Sequence, residues 1–170
     1  LLTANTYSGT TTVGSGTVLE VRANGALGDT GAGTVVQDGG SLQLRGPVTY
    51  STAEPLTISG NGNAIASGAL GSGGSNSSFS GPITLGGDAT IRNDNGTFYL
   101  YGGINTAGSQ VTFNTDGGNI EIQTGGLSGS GTVRKEGNND LIINANADAA
   151  MTGFDGEIVI AGGQENMSRR

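Results

Sequence analysis

The stretch Leu1–Gly28, LLTANTYSGTTTVGSGTVLEVRANGALG, decides how the rest of the chain is read. Two short β-type runs, TTTV (Thr10–Val13) and TVLEV (Thr17–Val21), are divided by Gly and Ser and followed by a small loop, NGALG. Leu19 and Val21 stand two apart, with Glu20 and Arg22 between and after them. That is the alternation of a strand with one buried face. Nothing in the stretch has catalytic character.

Working outward, the same pattern recurs to the end of the chain. Candidate strands follow at Thr34–Gln37, Ser41–Arg45, Val48–Tyr50, Leu56–Ser59, Asn63–Ser67, Ile83–Leu85, Ala89–Asn93, Thr97–Tyr101, Gln110–Asn114, Asn119–Gln123, Thr132–Glu136, Leu141–Asn144 and Glu157–Ala161. Each is short and bounded by Gly, Asn, Asp or Ser. The single run rich in helix formers, Ala145–Met151, reads as a loop or one turn, since helices that short are marginal. Ser67–Gly81 reads as a loop protruding from the stack.

The runs echo one another. Gly-x-Gly-Thr-Val opens a strand at Gly14–Val18, Gly31–Val35 and Gly129–Val133, and GALG occurs at Gly25–Gly28 and Gly68–Gly71. Pro47, Pro55 and Pro82 each precede an apolar-Thr-apolar run, a place where a missing N–H leaves no ladder bond unmade. Leu19 and Leu42, Ile120 and Leu141, and Val111 and Val133 are about 21 to 23 residues apart, a solenoid period. The fold expected is therefore all-β: a parallel β-solenoid of about eight coils, some 35–40 Å long at the ~4.8 Å strand spacing. A β-sandwich with hairpins at Asn24-Gly25, Asn95-Gly96 and Asp116-Gly117 is the alternative. Within the solenoid Leu42, Leu44, Leu56, Ile58, Ile120, Ile122, Ile158 and Ile160 point inward, and Gln43, Thr57, Glu121 and Val159 outward. Asn and Thr at equivalent turns are placed to hydrogen-bond from coil to coil. Residues 1–163 read as one domain and 164–170 as a tail of unassigned role.

Composition excludes several functions. The 170 residues include 34 Gly and neither Cys nor His, which removes disulfides, Cys/His zinc sites and histidine-activated nucleophiles. A net charge of -7 disfavours nucleic acid and anionic membranes, and no apolar run reaches the length of a membrane helix. The start without Met, in mid-pattern, suggests a processed protein or an excised fragment.

Residues Thr3–Gly28 resemble the autotransporter-associated β-strand repeat of bacterial surface and secreted passenger domains. The likeness rests on Asn5, Thr6, Tyr7, Ser8, Gly9, Thr11, Thr12, Val13, Gly16, Leu19, Val21, Ala26, Leu27 and Gly28. Phe79–Ile91 and Gly126–Asn146 are similar to later segments of such repeats. The last repeat, NADAAMTGFDGEIVIAGG, and the tail QENMSRR depart from the pattern. The resemblance implies a right-handed parallel β-helix at a bacterial cell surface or outside the cell. It implies a stalk, adhesin scaffold or fibre subunit, with no catalytic residue and no cofactor.

Candidate sites are few. Asp38, Asp88, Asp94, Asp116, Asp140 and Asp155 sit beside Gly or Asn and Asp148 two residues from Asn146, where turn chemistry explains them without a glycosidase pair. Gly86–Asp94 imitates the opening of a calcium-binding β-roll repeat, and Ser67–Gly81 lacks the lysine of a phosphate loop. Three Asn-x-Ser/Thr triplets, at Asn76, Asn95 and Asn166, are expected by chance in so Asn/Ser/Thr-rich a chain. Tyr99 and Tyr101 alternate with Phe98 and Leu100. Facing outward, they form a partner surface for a sugar polymer or a neighbouring chain, or a simple surface aromatic pair. The function expected is a non-enzymatic structural or adhesive module. Its partners would be copies of itself or neighbouring repeats stacked end to end, and cell-surface polysaccharide. A carbohydrate-active β-helix enzyme or a polysaccharide-binding module is the alternative.

Overall fold

The structure, a computed structural model, describes residues 1–144, 151, 153–162 and 165–166. Ala145–Ala150, Asp148 included, and most of the tail lie outside the described residues. The fold is a parallel β-solenoid of about six turns, with three short runs of strand to a full turn.

The first face carries β1 (Thr11–Val13), β3 (Thr34–Val36), β6 (Leu56–Gly60), the start of β9 (Ile83–Asn93), β11 (Ile104–Asn105) and β14 (Leu127–Ser128). The second carries β2 (Val18–Val21), β4 (Ser41–Arg45), β7 (Leu70–Gly73), the end of β9, β12 (Gln110–Asn114), β15 (Thr132–Glu136) and β17 (Glu157–Ile160). The third carries β5 (Thr49–Tyr50), β8 (Ser77–Phe79), β10 (Gly96–Leu100), β13 (Gly118–Ile122), β16 (Leu141–Ile143) and β18 (Glu165–Asn166). The first two faces form one sheet, which β9 runs across, and the third is a separate sheet. Every pairing between these strands is parallel, which excludes the sandwich; the antiparallel bridge Gly62–Ser67 lies inside a loop.

The residue pairs that set the period are direct register partners: Leu19 with Leu42, Ile120 with Leu141 and Val111 with Val133. The coil count is lower than the expected eight. Successive first-face strands start at Thr11, Thr34, Leu56, Ile83, Ile104 and Leu127, so most coils exceed the shortest period. One of them is lengthened by a loop at 61–69 between β6 and β7. Six coils at the usual strand spacing stack to about 30 Å.

Ladders of like residues fill the interior because parallel in-register stacking puts equivalent positions one above another. Leu19, Leu42, Leu70, Ile91 and Phe113 follow one another on the second face, and Tyr50, Phe79, Leu100 and Ile122 on the third. Leu42, Leu44, Leu56, Ile58, Ile120 and Ile122 are buried as expected; Ile158 is half-buried and Ile160 is exposed, on the last described strand of its face. The Tyr50 and Phe79 rings stack at 5.5 Å, and the Tyr50 hydroxyl accepts the buried Leu27 amide 3.1 Å away.

The prolines sit where their chemistry allows. Pro55 and Pro82 directly precede β6 and β9, and their carbonyls accept the amides of Thr34 and Leu56 one coil earlier. Coil-to-coil side-chain bonds also form at Asn and Thr: the Thr52 hydroxyl donates to Asn24 Oδ1, and those of Thr106 and Thr115 to the carbonyls of Ser128 and Glu136. Asn76 Oδ1 accepts Thr97 N–H, and Asn119 Oδ1 accepts Asp140 N–H.

Three further expectations are corrected. Asn63–Ser67 is not a strand but part of the 61–69 loop, an Asx turn in which Asn63 Oδ1 accepts the amides of Ile65 and Ala66 and Ile65 projects into solvent. Ser67–Gly81 is not a protruding loop: Ser72, Ser77 and Ser78 fill buried strand positions in β7 and β8, a role that small polar residues disguise. Gln43 is buried although its strand position faces outward. The 61–69 loop folds back there, with Ser41 Oγ donating to Gly68 O and Gln43 Nε2 donating to Ser41 Oγ. Glu157–Ile160, in the divergent last repeat, still coils, pairing in parallel with β15.

Candidate functional site: a tyrosine-walled hollow on the third face

Alternation along β10 buries Phe98 and Leu100 and turns Tyr99 outward, followed by Tyr101 just past the strand end. One coil earlier, in-register pairing puts Ser78 of β8 beside Tyr99, and beyond Ser78 stands Thr49 of β5. Two large rings thus stand at a step above small side chains. The step is a hollow of about 400 Å³ lined by Thr49, Asn76, Ser77, Ser78, Ser80, Tyr99 and Tyr101. The tyrosine rings form its wall, 6.4 Å apart and within 24° of parallel, with Tyr101 41% exposed.

The lining is polar and uncharged. Ser77 Oγ is occupied by Gly46 O and Asn76 Oδ1 by the Thr97 amide. Among the described residues, the hydroxyls of Thr49, Ser78, Ser80, Tyr99 and Tyr101 make no hydrogen bond to the protein. The nearest ionised neighbour in register is Glu121 on β13, beside Tyr99 and holding Gln123 Nε2 at 2.9 Å. The backbone of β10 is paired on both sides, with β8 and β13. At β10 the site therefore offers side chains and no free strand edge, whereas β5, which carries Thr49, is paired on the β8 side only.

The other sequence candidates do not converge on it. Asp88 Oδ1 accepts the Gln110 amide, Asp94 pairs with Arg92, and Asp116 Oδ2 accepts from Asn114 Nδ2, so these carboxylates order turns and neighbouring strands. Gly86–Asn93, the imitation of a calcium repeat, is continuous strand inside β9.

No protein-family model, curated protein or solved structure matches the chain.

Two buried ionisable groups went unrecognised in the sequence. Glu54, at the corner after β5, is fully buried; its Oε1 accepts Thr34 Oγ1 at 2.8 Å while Oε2 has no partner. Burial raises its pKa, the Thr34 hydroxyl opposes the rise, and Asp29 adds to it. Nothing in TAEPL signals this. Lys135 is also buried, and here a signal existed: two residues from inward Val133 on β15, it must point inward too. Its Nζ donates to the carbonyls of Glu136, Gly137 and Gly162, tying two coils together. Burial lowers its pKa against the pull of Asp140 and Asp116.

Proposed function

We propose that the chain is a non-enzymatic structural and adhesive module, a stalk or fibre segment of a bacterial surface or secreted passenger protein of the autotransporter-associated β-strand repeat type. One observation supports this reading above others: main-chain amides and carbonyls on all three faces are used to join coil to coil, in parallel register. A body built this way lengthens by adding coils and keeps its side chains free for the outer surface.

The same chemistry favours end-to-end association. Among the described residues β1 and β5 are paired along one edge only, and β17 at the opposite end likewise. Unpaired strand edges are templates for further strands. The segment before β1 covers part of the first edge, since Leu1 O accepts the Arg22 amide, Gly25 O the Asn5 amide, and Tyr7 O the Asp29 amide. Further coils, from neighbouring repeats or a second copy, would continue the ladders. Negative-stain electron microscopy and sedimentation velocity over rising concentration test this: rods that lengthen in whole multiples support it, and short monomeric rods at high concentration overturn it. Turnover assays on acidic and neutral polysaccharides test the non-enzymatic reading. Cleavage lost in a turn Asp→Ala variant would overturn that part.

A further inference from the structure

The third-face hollow is the place where this surface departs from what a plain solenoid needs. Packing does not require Tyr99 and Tyr101 to point outward over serines, because Phe98 and Leu100 already supply the inward ladder. We propose that the hollow binds an uncharged glycan, one sugar ring lying with its C–H face on the tyrosine wall and its hydroxyls meeting those of Thr49, Ser78 and Ser80.

Size, polarity and charge lead to the same ligand. About 400 Å³ lies within the range of small-ligand pockets, roughly 300–1,000 Å³. Five hydroxyls without a protein partner ring the space, and each can both donate and accept. A sugar ring matches such a rim, since it carries an apolar face for the aromatic wall and a hydroxyl edge for the floor. No lining side chain is ionised, so a charged ligand would lose hydration with no counter-charge to replace it. Acidic polymers fit worse still, given Glu121 beside Tyr99 and the net charge of -7. Strand addition by a peptide beside the tyrosine wall is blocked, because both edges of β10 are already paired; the one open edge near the hollow, that of β5, lies beyond Thr49 at the end of the stack.

The proposal rests on the scaffold reading only in taking the outer face of the third sheet as accessible. Affinity electrophoresis of the whole chain through gels holding one polysaccharide each is the test, with cellulose, mannan, galactan and starch derivatives as neutral probes and alginate as the acidic one. Retardation by at least one neutral polymer is expected, reduced tenfold or more in Tyr99→Ala and in Tyr101→Ala. Tyr101→Phe, which keeps the ring and loses one hydroxyl, should retain binding within about threefold. Arg92→Ala on the second face should leave it unchanged. Thermal melts of each variant separate lost binding from lost folding, and Tyr101, being exposed, can be altered without touching the core. The proposal is overturned if no neutral polymer retards the chain, if alginate alone does, or if the folded alanine variants bind as the parent does. It is also overturned if they change sedimentation instead, which would make the face a contact between protein chains. Rod formation, read separately by microscopy, does not enter these outcomes.

Discussion

The second and third faces of the solenoid obey one inward rule and turn different chemistry outward. On the second face the outer positions hold ion pairs: Arg22 with Glu20, Arg92 with Asp94 and Arg134 with Glu136 each lie two apart on one chain segment, and Arg45 reaches Glu20 from the next coil. On the third face, from Thr49 to Tyr101, the outer positions hold hydroxyls, an amide and two aromatic rings. The inner ladders of both are set by the stacking and leave little freedom. The outer rows are not so bound, and there the two faces diverge. What distinguishes one solenoid from another in function is therefore to be sought in its outer rows.

The two faces share one interior, and the largest effect should come from breaking it. Phe113 lies fully buried in the second-face ladder between Ile91 and Lys135. Phe113→Ala removes a ring from a stack whose neighbours are held in register and cannot collapse into the gap, so a loss of about 3–5 kcal/mol is expected in urea unfolding. If both faces rest on one core, the glycan-binding hollow should be lost over the same denaturant range. Binding that survives after the second face has melted would show that the faces are supported separately, as the coil-by-coil energetics of repeat proteins allow.

Glu54 gives the next effect, with a pH signature. Its folded pKa is raised above the unfolded 4.5 by burial, so its neutral form is the one the fold prefers. The stability this contributes is complete below pH 4.5 and is lost as pH rises through the folded value. Glu54→Gln is neutral at every pH. The variant should be more stable than the parent at pH 8, by about 1–3 kcal/mol, and the gap should close on approaching pH 4. Parallel thermal melts from pH 4 to pH 8 measure it; a constant gap would mean that folding does not raise the Glu54 pKa. The buried carboxyl sits at the corner between the third and first faces, bonded to Thr34, and the ion pairs clothe the second face, so a pH effect from Glu54 separates interior charge from surface charge.

Much of the architecture was legible because period and alternation are written in large apolar residues. Leu19–Leu42 and Val111–Val133 could be paired by counting, and the outward direction of Tyr99 follows from Phe98 and Leu100. Legibility failed where a polar or tiny residue took an inward place. Ser72 and Ser77 made β7 and β8 look like loop, and Lys135 hid in plain alternation because a lysine is seldom read as interior. Gln43 failed for another reason: its burial comes from the 61–69 loop folding over an outer row, a long-range contact that no local period encodes. The tyrosines could be named in advance, but the hollow beside them depends on Thr49 and Ser78 standing two coils and one coil away, in a register that only the stacked chain reveals.

The smallest effect is expected on the charged face. Arg134 Nε lies 2.6 Å from Glu136 Oε1, but both side chains are more than a third exposed, at 35% and 40%. Water screens such a pair, and holding two long side chains in one geometry costs entropy, so Arg134→Ala should destabilise by only about 0.2–1 kcal/mol. In 1 M salt, where the screening length is about 3 Å, the difference should fall further. Urea titrations of parent and variant at low and high salt measure both. A loss above about 2 kcal/mol that salt leaves unchanged would make the ion-pair rows part of what holds the coils together. The second face would then be as constrained outside as inside, and the contrast with the third face would have to be drawn from ligand binding alone.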